Sequence, residues 1–198
     1  GDEMNDRPLA TFRFDEGVCI AQAEPPPAPP VDLASPATAV MTDLTQVRAA
    51  TVHPDTPLVL AEQAMIRRGV RLLFVVSSMP CVDGIVGAVD LHGERPMQVL
   101  HRRGGAYGDL RVADVMTPLP DVDVVDFAAL ADATVARVVA TLRRHGRPHL
   151  LVAEHATASA PPRIRGLFSA AQVERQLGRP LHTIAIASTF AEIEQALS

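Results

Sequence analysis

Two clusters of arginine residues carry the side chains best suited to binding chemistry in this 198-residue chain. The clusters are Arg67, Arg68 and Arg71 in the first half, and Arg143, Arg144 and Arg147 in the second. A guanidinium group fits the oxygens of a phosphate through paired hydrogen bonds, so these side chains could hold a phosphorylated ligand. Alternatively, they stabilise the negative end of a helix dipole and remain solvated. We expect that alternative for the first two members of each cluster, and both roles stay open for Arg71 and Arg147.

Histidines are the other candidates for site chemistry, as metal ligands, and the chain has seven of them: His53, His92, His101, His145, His149, His155 and His182. None has the spacing of a zinc motif, and no cysteine pair accompanies them. We therefore expect surface or packing histidines, and a small metal-dependent enzyme is the weakest hypothesis. No Ser-His-Asp order or Gly-x-Ser-x-Gly turn is present either. The sequence predicts no catalytic residues, no metal and no required cofactor.

Charge and composition argue against several classes of protein. The net charge is −5 and the isoelectric point is near 5.8, which opposes binding to nucleic acid and to anionic membranes. No apolar run reaches the roughly 18 residues of a membrane span, and the N-terminus lacks a signal-peptide pattern. Cys19 and Cys81 are too far apart, and in contexts too different, to suggest a disulfide framework. We expect a cytoplasmic protein that handles something small and soluble.

A duplication organises the rest of the chain. The string Val-Met-Thr at residues 40–42 recurs at 115–117. Segments 67–76 and 84–91, which follow the first copy, match segments 143–152 and 166–173, which follow the second in the same order. We align the two arginine clusters with each other on this basis. A duplication of this kind predicts two similar units, a pseudo-twofold axis and a cleft between them.

Hydrophobic periodicity assigns the elements of each copy. In the first copy, an apolar stripe predicts a helix that ends at Gly69, and apolar runs predict strands over 72–76 and 85–89. The second copy repeats the series. The predicted fold class is α/β (α+β), with two β-α-β-β-α repeats related by a pseudo-twofold axis. The predicted divisions are an N-terminal arm with a Pro-rich tail (1–36), a first domain (37–101), a linker (102–110), a second domain (111–180) and a C-terminal segment that packs on the pair (181–198).

The order of these elements and the Val-Met-Thr openings resemble the cystathionine-β-synthase (CBS) domain family. The resemblance spans roughly residues 37–180 and is to a tandem pair, or Bateman module, in a stand-alone CBS-pair protein. It implies two domains packed through their sheets and association of two pairs into a homodimer. It also implies a regulatory or sensing module in which a cleft binds an adenosine-containing ligand such as AMP, ADP, ATP or S-adenosylmethionine, with an unknown protein partner.

The family resemblance also points to a closing motif, Gly-x-x-(Ser/Thr)-x-x-Asp, as the ligand contact. A hydroxyl at a helix N-terminus can donate to a phosphate, and a carboxylate one turn later can accept from both ribose hydroxyls. The first copy has Gly84 and Asp90 but no hydroxyl, whereas the second has Gly166 and Ser169 but replaces the carboxylate by Gln172. The expected ligand-binding residues are therefore Gly84, Asp90, Gly166, Ser169, Gln172, Arg71 and Arg147.

Two further expectations remain open at the sequence level. These split motifs also suit simple helix caps, so the alternative function is a ligand-free module for dimerisation or interaction. In the tail, residues 25–30 should be extended, because five prolines remove backbone donors. Residues 10–14 alternate in polarity, so a short strand or a packed arm is one expectation for them, and a partly disordered tail is the favoured alternative. A final amphipathic segment over 190–197 should pack on the pair.

Overall fold

The computed structural model describes residues 8–14, 17–21 and 28–184. Two four-stranded sheets form the framework of this part of the chain, each flanked by helices. This is the mixed α/β architecture that the sequence predicts.

The first repeat contributes strands β2 to β4 and helices α1 to α3. Their bounds are β2 Thr51–Val52, α1 Leu58–Arg68, β3 Leu72–Val75, β4 Gly84–Gly87, α2 Ala88–His92 and α3 Arg95–Arg103. Helix α1 ends at Gly69, whose φ of 63° is left-handed, as the sequence predicts. Strand β3 is parallel to β2 and antiparallel to β4, so the order β-α-β-β-α is confirmed for this repeat.

The second repeat follows the same plan. Its elements are α4 Val112–Val115, β5 Thr117–Pro118, β6 Val124–Asp126, α5 Val135–His145, β7 His149–Glu154, β8 Arg163–Ser169 and α6 Ala170–Leu177. Helix α5 ends at Gly146 with φ 61°, which matches the end of α1. Strand β7 runs parallel to β6 and antiparallel to β8.

The two repeats exchange their opening strands. Strand β1 (Thr42–Asp43), which follows the first Val-Met pair, pairs antiparallel with β8 of the second repeat. Strand β5, which follows the second Val-Met pair, pairs antiparallel with β4 of the first. The sheet orders are therefore β1-β8-β7-β6 and β2-β3-β4-β5, so a division of the chain by sequence does not coincide with the division of the sheets.

Two glycines allow the exchanged strands to approach. A Cβ atom on Gly166 would lie 2.5 Å from the backbone oxygen of Thr42 on β1, and a Cβ on Gly84 would press against the backbone oxygen of Thr117 on β5. A side chain at either position would have to push away backbone rather than a flexible side-chain end. The absence of a Cβ is therefore a condition for the strand exchange.

Three apolar clusters hold these layers together. One lies between α5, α6 and the sheet β1-β8-β7-β6, and another between α1 to α4 and the sheet β2-β3-β4-β5. The third joins the inner faces of the sheets, where Leu72, Phe74 and Ile85 of the first repeat meet Leu151 of the second. The cleft predicted by the duplication lies at the edges of this third cluster.

The segments outside the repeats differ from the sequence prediction in part. Residues 10–14 form neither a strand nor a packed arm, because they have no regular secondary structure and Phe12 and Phe14 are exposed. The predicted linker is shorter at its start, since Arg102 and Arg103 belong to α3. Residues 25–27 and 190–197 lie outside the described residues.

Candidate ligand-binding site

A cleft of about 280 Å³ lies between the two sheets at the start of α6, and we call it the Ser169 cleft. Its walls include Leu72 and Phe74 of β3 on one side, and Leu167 and Ser169 of β8 on the other. The polar side chains that line it are Thr42, Arg48, Arg71, His149, Ser169, Gln172 and Arg175. The structure thus brings together three of the predicted site residues, namely Arg71, Ser169 and Gln172.

The charge of the Ser169 cleft is positive. Arg48, Arg71 and Arg175 line it, and none of its lining residues is Asp or Glu. Within the described part of the chain, none of the three forms an ion pair with a carboxylate. Three cations without a neutralising partner attract an anion, and a guanidinium fork fits the oxygens of a phosphate or a carboxylate.

Ser169 stands at the junction of β8 and α6. It is the N-cap residue of α6, with extended backbone angles, but its side chain makes no capping hydrogen bond. The hydroxyl is therefore not committed to its own helix. A group bound in the cleft would also lie near the positive end of the α6 dipole.

Gln172 occupies the position where the closing motif would have a carboxylate. Its Oε1 accepts a hydrogen bond from Thr42 Oγ1 at 3.1 Å, and its Nε2 donates to Gln176 Oε1 at 3.2 Å. The side chain thus links the exchanged strand β1 to α6. It lines the cleft with no negative charge, which leaves the arginines unopposed.

His149 is a cleft residue that the sequence reasoning missed. It pairs with Ser169 across β7 and β8 and is partly buried. Burial, and secondarily the positive charge of Arg71, lower the pKa of His149 to about 4, so the imidazole is neutral at pH 7. The sequence predicts neighbouring strands that begin at His149 and end near Ser169, and this pairing could have indicated that His149 lies beside Ser169.

The two arginine clusters are offset, not equivalent. Gly69 and Gly146 end matching helices, and β3 and β7 then begin at Leu72 and His149. Counting from these glycines, Arg71 corresponds to Pro148, and Arg147 to Val70. The alignment of the clusters was wrong because it matched arginines instead of the glycines that fix the ends of the helices.

Arg147 lines a second cleft, of about 310 Å³, which we call the Arg147 cleft. Its other lining residues include Arg95, Arg102, Asp114, Thr117 and Asp121. Two carboxylates line this cleft beside its arginines, and Arg95 is already paired with Asp90 at 3.4 Å. Its charge therefore favours an anion less than that of the Ser169 cleft does.

Asp90 lies beside this second cleft and already has partners. Its Oδ2 accepts from the backbone N–H of Gly87 at 2.8 Å, and its Oδ1 lies 3.4 Å from Arg95 Nη1. Arg95 also donates to the carbonyl of Val115 at 2.7 Å and to Thr117 Oγ1 at 3.3 Å. A ribose hydroxyl would have to compete with Arg95 for this carboxylate.

The remaining predicted residues, Gly84 and Gly166, lie beneath the exchanged strands. Both are buried, and neither is among the lining residues of the two clefts. The close approach of β5 and β1 accounts for them without a ligand.

Comparisons with known proteins place the fold. Neither the models of protein families nor the curated proteins match the sequence. A solved structure of CBSX2 in complex with AMP is similar, with TM-score 0.50 and 20% identity over 71% of this chain and 94% of that chain. A second solved structure, of the CBS-pair protein CBSX2 from Arabidopsis thaliana, gives TM-score 0.45 and 22% identity over 72% of this chain and 93% of that chain.

Two further solved structures have a lower similarity than the AMP complex of CBSX2. An uncharacterized conserved protein from Pyrococcus horikoshii gives TM-score 0.49 and 20% identity, over 72% of this chain and 92% of that one. A signal-transduction protein with CBS domains from Burkholderia ambifaria gives 0.48 and 21%, over 73% and 89%.

The sheet topology and the similarity to CBSX2 agree on one class of fold. The chain has the fold of a CBS-domain pair, as the sequence predicts. The part of it that the structure describes contains no helix both long and apolar enough to cross a membrane. Within the same residues, no three His, Cys, Asp or Glu side chains are grouped so that they could hold a metal ion.

Proposed function

We propose that this protein is a regulatory module that binds a phosphorylated adenosyl ligand in the Ser169 cleft. The observation that carries the proposal is the convergence of Arg48, Arg71 and Arg175 on a cleft whose lining has no carboxylate. Arginine forks match the geometry of phosphate oxygens and can bind them through paired hydrogen bonds. Ser169 at the start of α6 adds a neutral donor for the same group.

The nucleoside part of the ligand would occupy the apolar part of the cleft. Leu44, Val47, Ala49, Val70, Phe74 and Leu167 line this part. A flat, largely apolar base suits such walls, and a few polar side chains then set its orientation. The AMP complex of CBSX2, which shares the fold, supports adenosine as the nucleoside.

The Arg147 cleft would be a weaker site or an empty one. Arg95 holds Asp90 and Thr117 there, so a ligand must first displace an internal cation from its carboxylate and hydroxyl. Binding that separates an existing ion pair costs more free energy than binding to cations that have no partner. If a ligand binds in both clefts, Asp90 would hold its ribose in the weaker one.

Regulation would follow from the position of the Ser169 cleft between two sheets. A ligand that contacts β3 of one repeat and α6 of the other can favour one arrangement of the pair, by its difference in affinity for the two arrangements. The proposed role is binding rather than catalysis. A His149 pKa lowered to about 4 makes the imidazole a weak base for Ser169. The lining of the cleft also has no carboxylate to orient the imidazole. The exposed cysteines Cys19 and Cys81 are unpaired, which favours a reducing compartment such as the cytoplasm.

Titration with AMP, ADP, ATP, S-adenosylmethionine and NAD tests the proposal. A phosphorylated ligand at 100 times its dissociation constant should stabilise the fold by about 2.7 kcal/mol, and the affinity should fall with added salt. S-adenosylmethionine, which has no phosphate, should bind more weakly than ATP. Equal affinity for both ligands, or no response to any of the five, would contradict the proposed phosphate site.

A module for dimerisation is the second candidate, and exposed apolar side chains on α1 favour it. Val59, Leu60 and Ile66 are exposed on this helix. We expect a homodimer that buries them, since unpartnered apolar surface of this kind marks an interface. Light scattering should give a mass near twice 21.1 kDa, and a monomer at micromolar concentration would contradict this expectation.

A further inference from the structure

Gln176 is a buried polar side chain that ties the N-terminal segment to α6. It is 6% exposed, and its Nε2 donates to the carbonyls of Pro29 at 3.2 Å and Ala39 at 3.1 Å. Its backbone oxygen accepts from the N–H of Val31 at 3.1 Å. The first part of residues 28–36, which we call the strap, is therefore anchored by one glutamine of the closing helix.

The strap continues from this anchor to the start of α5. The carbonyls of Leu33 and Ser35 accept hydrogen bonds from Ala136 and Val135 at 3.0 and 2.9 Å, and so satisfy backbone donors of the first turn of α5. Val31 and Leu33 also pack against the core of the second repeat. A change in the contacts of Gln176 would thus alter the position of residues that also bond to the first turn of α5.

Gln172 connects the same anchor to the Ser169 cleft. Both amide hydrogens of Gln176 are used by the Pro29 and Ala39 carbonyls, so its Oε1 must accept from Gln172 Nε2. The orientation of the Gln172 amide is thereby fixed, and only its Oε1 is turned toward Thr42 in the cleft. The hydrogen bonds run in one direction, from Thr42 through both glutamines to the strap.

We propose that this chain of hydrogen bonds couples the content of the Ser169 cleft to the docking of the strap. A ligand donor beside Gln172 can use Oε1 and leaves the anchor intact. A ligand acceptor set against Oε1 repels it and favours the flipped amide, which places the oxygen of Gln172 against the oxygen of Gln176. Because two acceptors repel, Gln176 turns away from the carbonyls of Pro29 and Ala39. The strap is then held less tightly, by its backbone hydrogen bonds and apolar packing alone.

The relay itself can be tested without a ligand, by amide hydrogen exchange over residues 31–35. Gln172→Glu removes the donor to Gln176, and we expect exchange there to rise by about 2- to 12-fold or more, as for the loss of one neutral hydrogen bond. Gln172→Leu should raise it similarly. Ser169→Ala is the matched control: it lies in the same cleft and outside the relay, and should leave the strap unchanged.

The result that overturns the coupling is equally specific. Unchanged exchange over 31–35 in both Gln172 variants would show that the strap does not depend on the relay. An equal rise in the amides of β3, which the relay does not contact, would show general destabilisation instead and would also overturn it.

A second arm uses ATP as the probe and rests on the proposed function. ATP should change exchange over 31–35 in the parent protein and not in Gln172→Leu, and an equal change in both would overturn the coupling. If ATP does not bind, the proposed function fails, while the ligand-free comparison still decides the relay.

Discussion

The exchange of strands between the repeats predicts a large penalty for a single added methyl group at Gly166. In Gly166→Ala the new Cβ would lie 2.5 Å from the backbone oxygen of Thr42 and 3.1 Å from Met41 Sδ. Real Cβ atoms do not approach this closely, so β1 must move away from β8. Overpacking of this kind costs about 1–3 kcal/mol, and here the displaced group is backbone, which favours the upper part of that range.

Gly87→Ala is the matched control. This glycine is also buried and ends β4, but the nearest atoms to its Cβ would be Asp90 Oδ2 at 3.5 Å, Arg71 O at 3.6 Å and Val89 Cγ2 at 3.7 Å, which is ordinary contact. Its φ of −103° is open to any residue. We expect no loss of stability, and a gain of up to about 1 kcal/mol from the less flexible unfolded chain.

Urea unfolding of both variants gives the comparison. With a slope of about 1–3 kcal/mol per molar, Gly166→Ala should lower the midpoint by roughly 1 M, at unchanged slope. Equal midpoints for the two variants would refute the reasoning, because they would show that β1 does not cross tightly over Gly166.

Two further predictions concern pH. Because the folded pKa of His149 is lowered to about 4 from 6.5, the stability it contributes is present above pH 6.5 and is lost as the pH falls toward 4. The free energy of unfolding should drop by about 2 kcal/mol from this group between pH 7 and 5, and His149→Leu, which copies Leu72 of the first repeat, should flatten that drop in urea titrations at each pH. At lower pH, the hydrogen bonds of Arg165 to Asp43 hold the pKa of that carboxyl well below its usual range. The stabilisation by these hydrogen bonds is therefore lost only below about pH 4. Asp43→Asn should lower the melting temperature at pH 7 and remove that part of the acid dependence. Melting curves identical to those of the parent at pH 7 and below pH 4 would contradict this prediction.

The order of elements could be predicted because local signals determine it. Glycines end the helices at 69 and 146, and apolar runs mark the strands that follow them. The pairing of β1 with β8 could not be predicted in this way. Two-residue strands carry almost no periodicity, and their partners lie in the other repeat.

The candidate site was predictable in part, for a related reason. Residue type predicts Arg71, and the closing motif of the resembled family predicts Ser169 and Gln172; the structure brings all three into one cleft. Arg48 and Arg175 were missed because only the fold brings their segments together. Arg95 was missed because its contacts have no sequence signature. It pairs with Asp90, five residues earlier, and also donates to Thr117 on β5.

The central claim is that a phosphorylated ligand binds in the Ser169 cleft, and calorimetry with ATP on two arginine variants tests it most directly. Arg71→Ala removes an unpaired cation of this cleft, and Arg147→Ala removes a cation of the other one. Loss of one charge-assisted contact should weaken binding by about 10- to 150-fold in Arg71→Ala, with little change in Arg147→Ala. The reverse pattern, or unchanged affinity in both variants, would contradict the account.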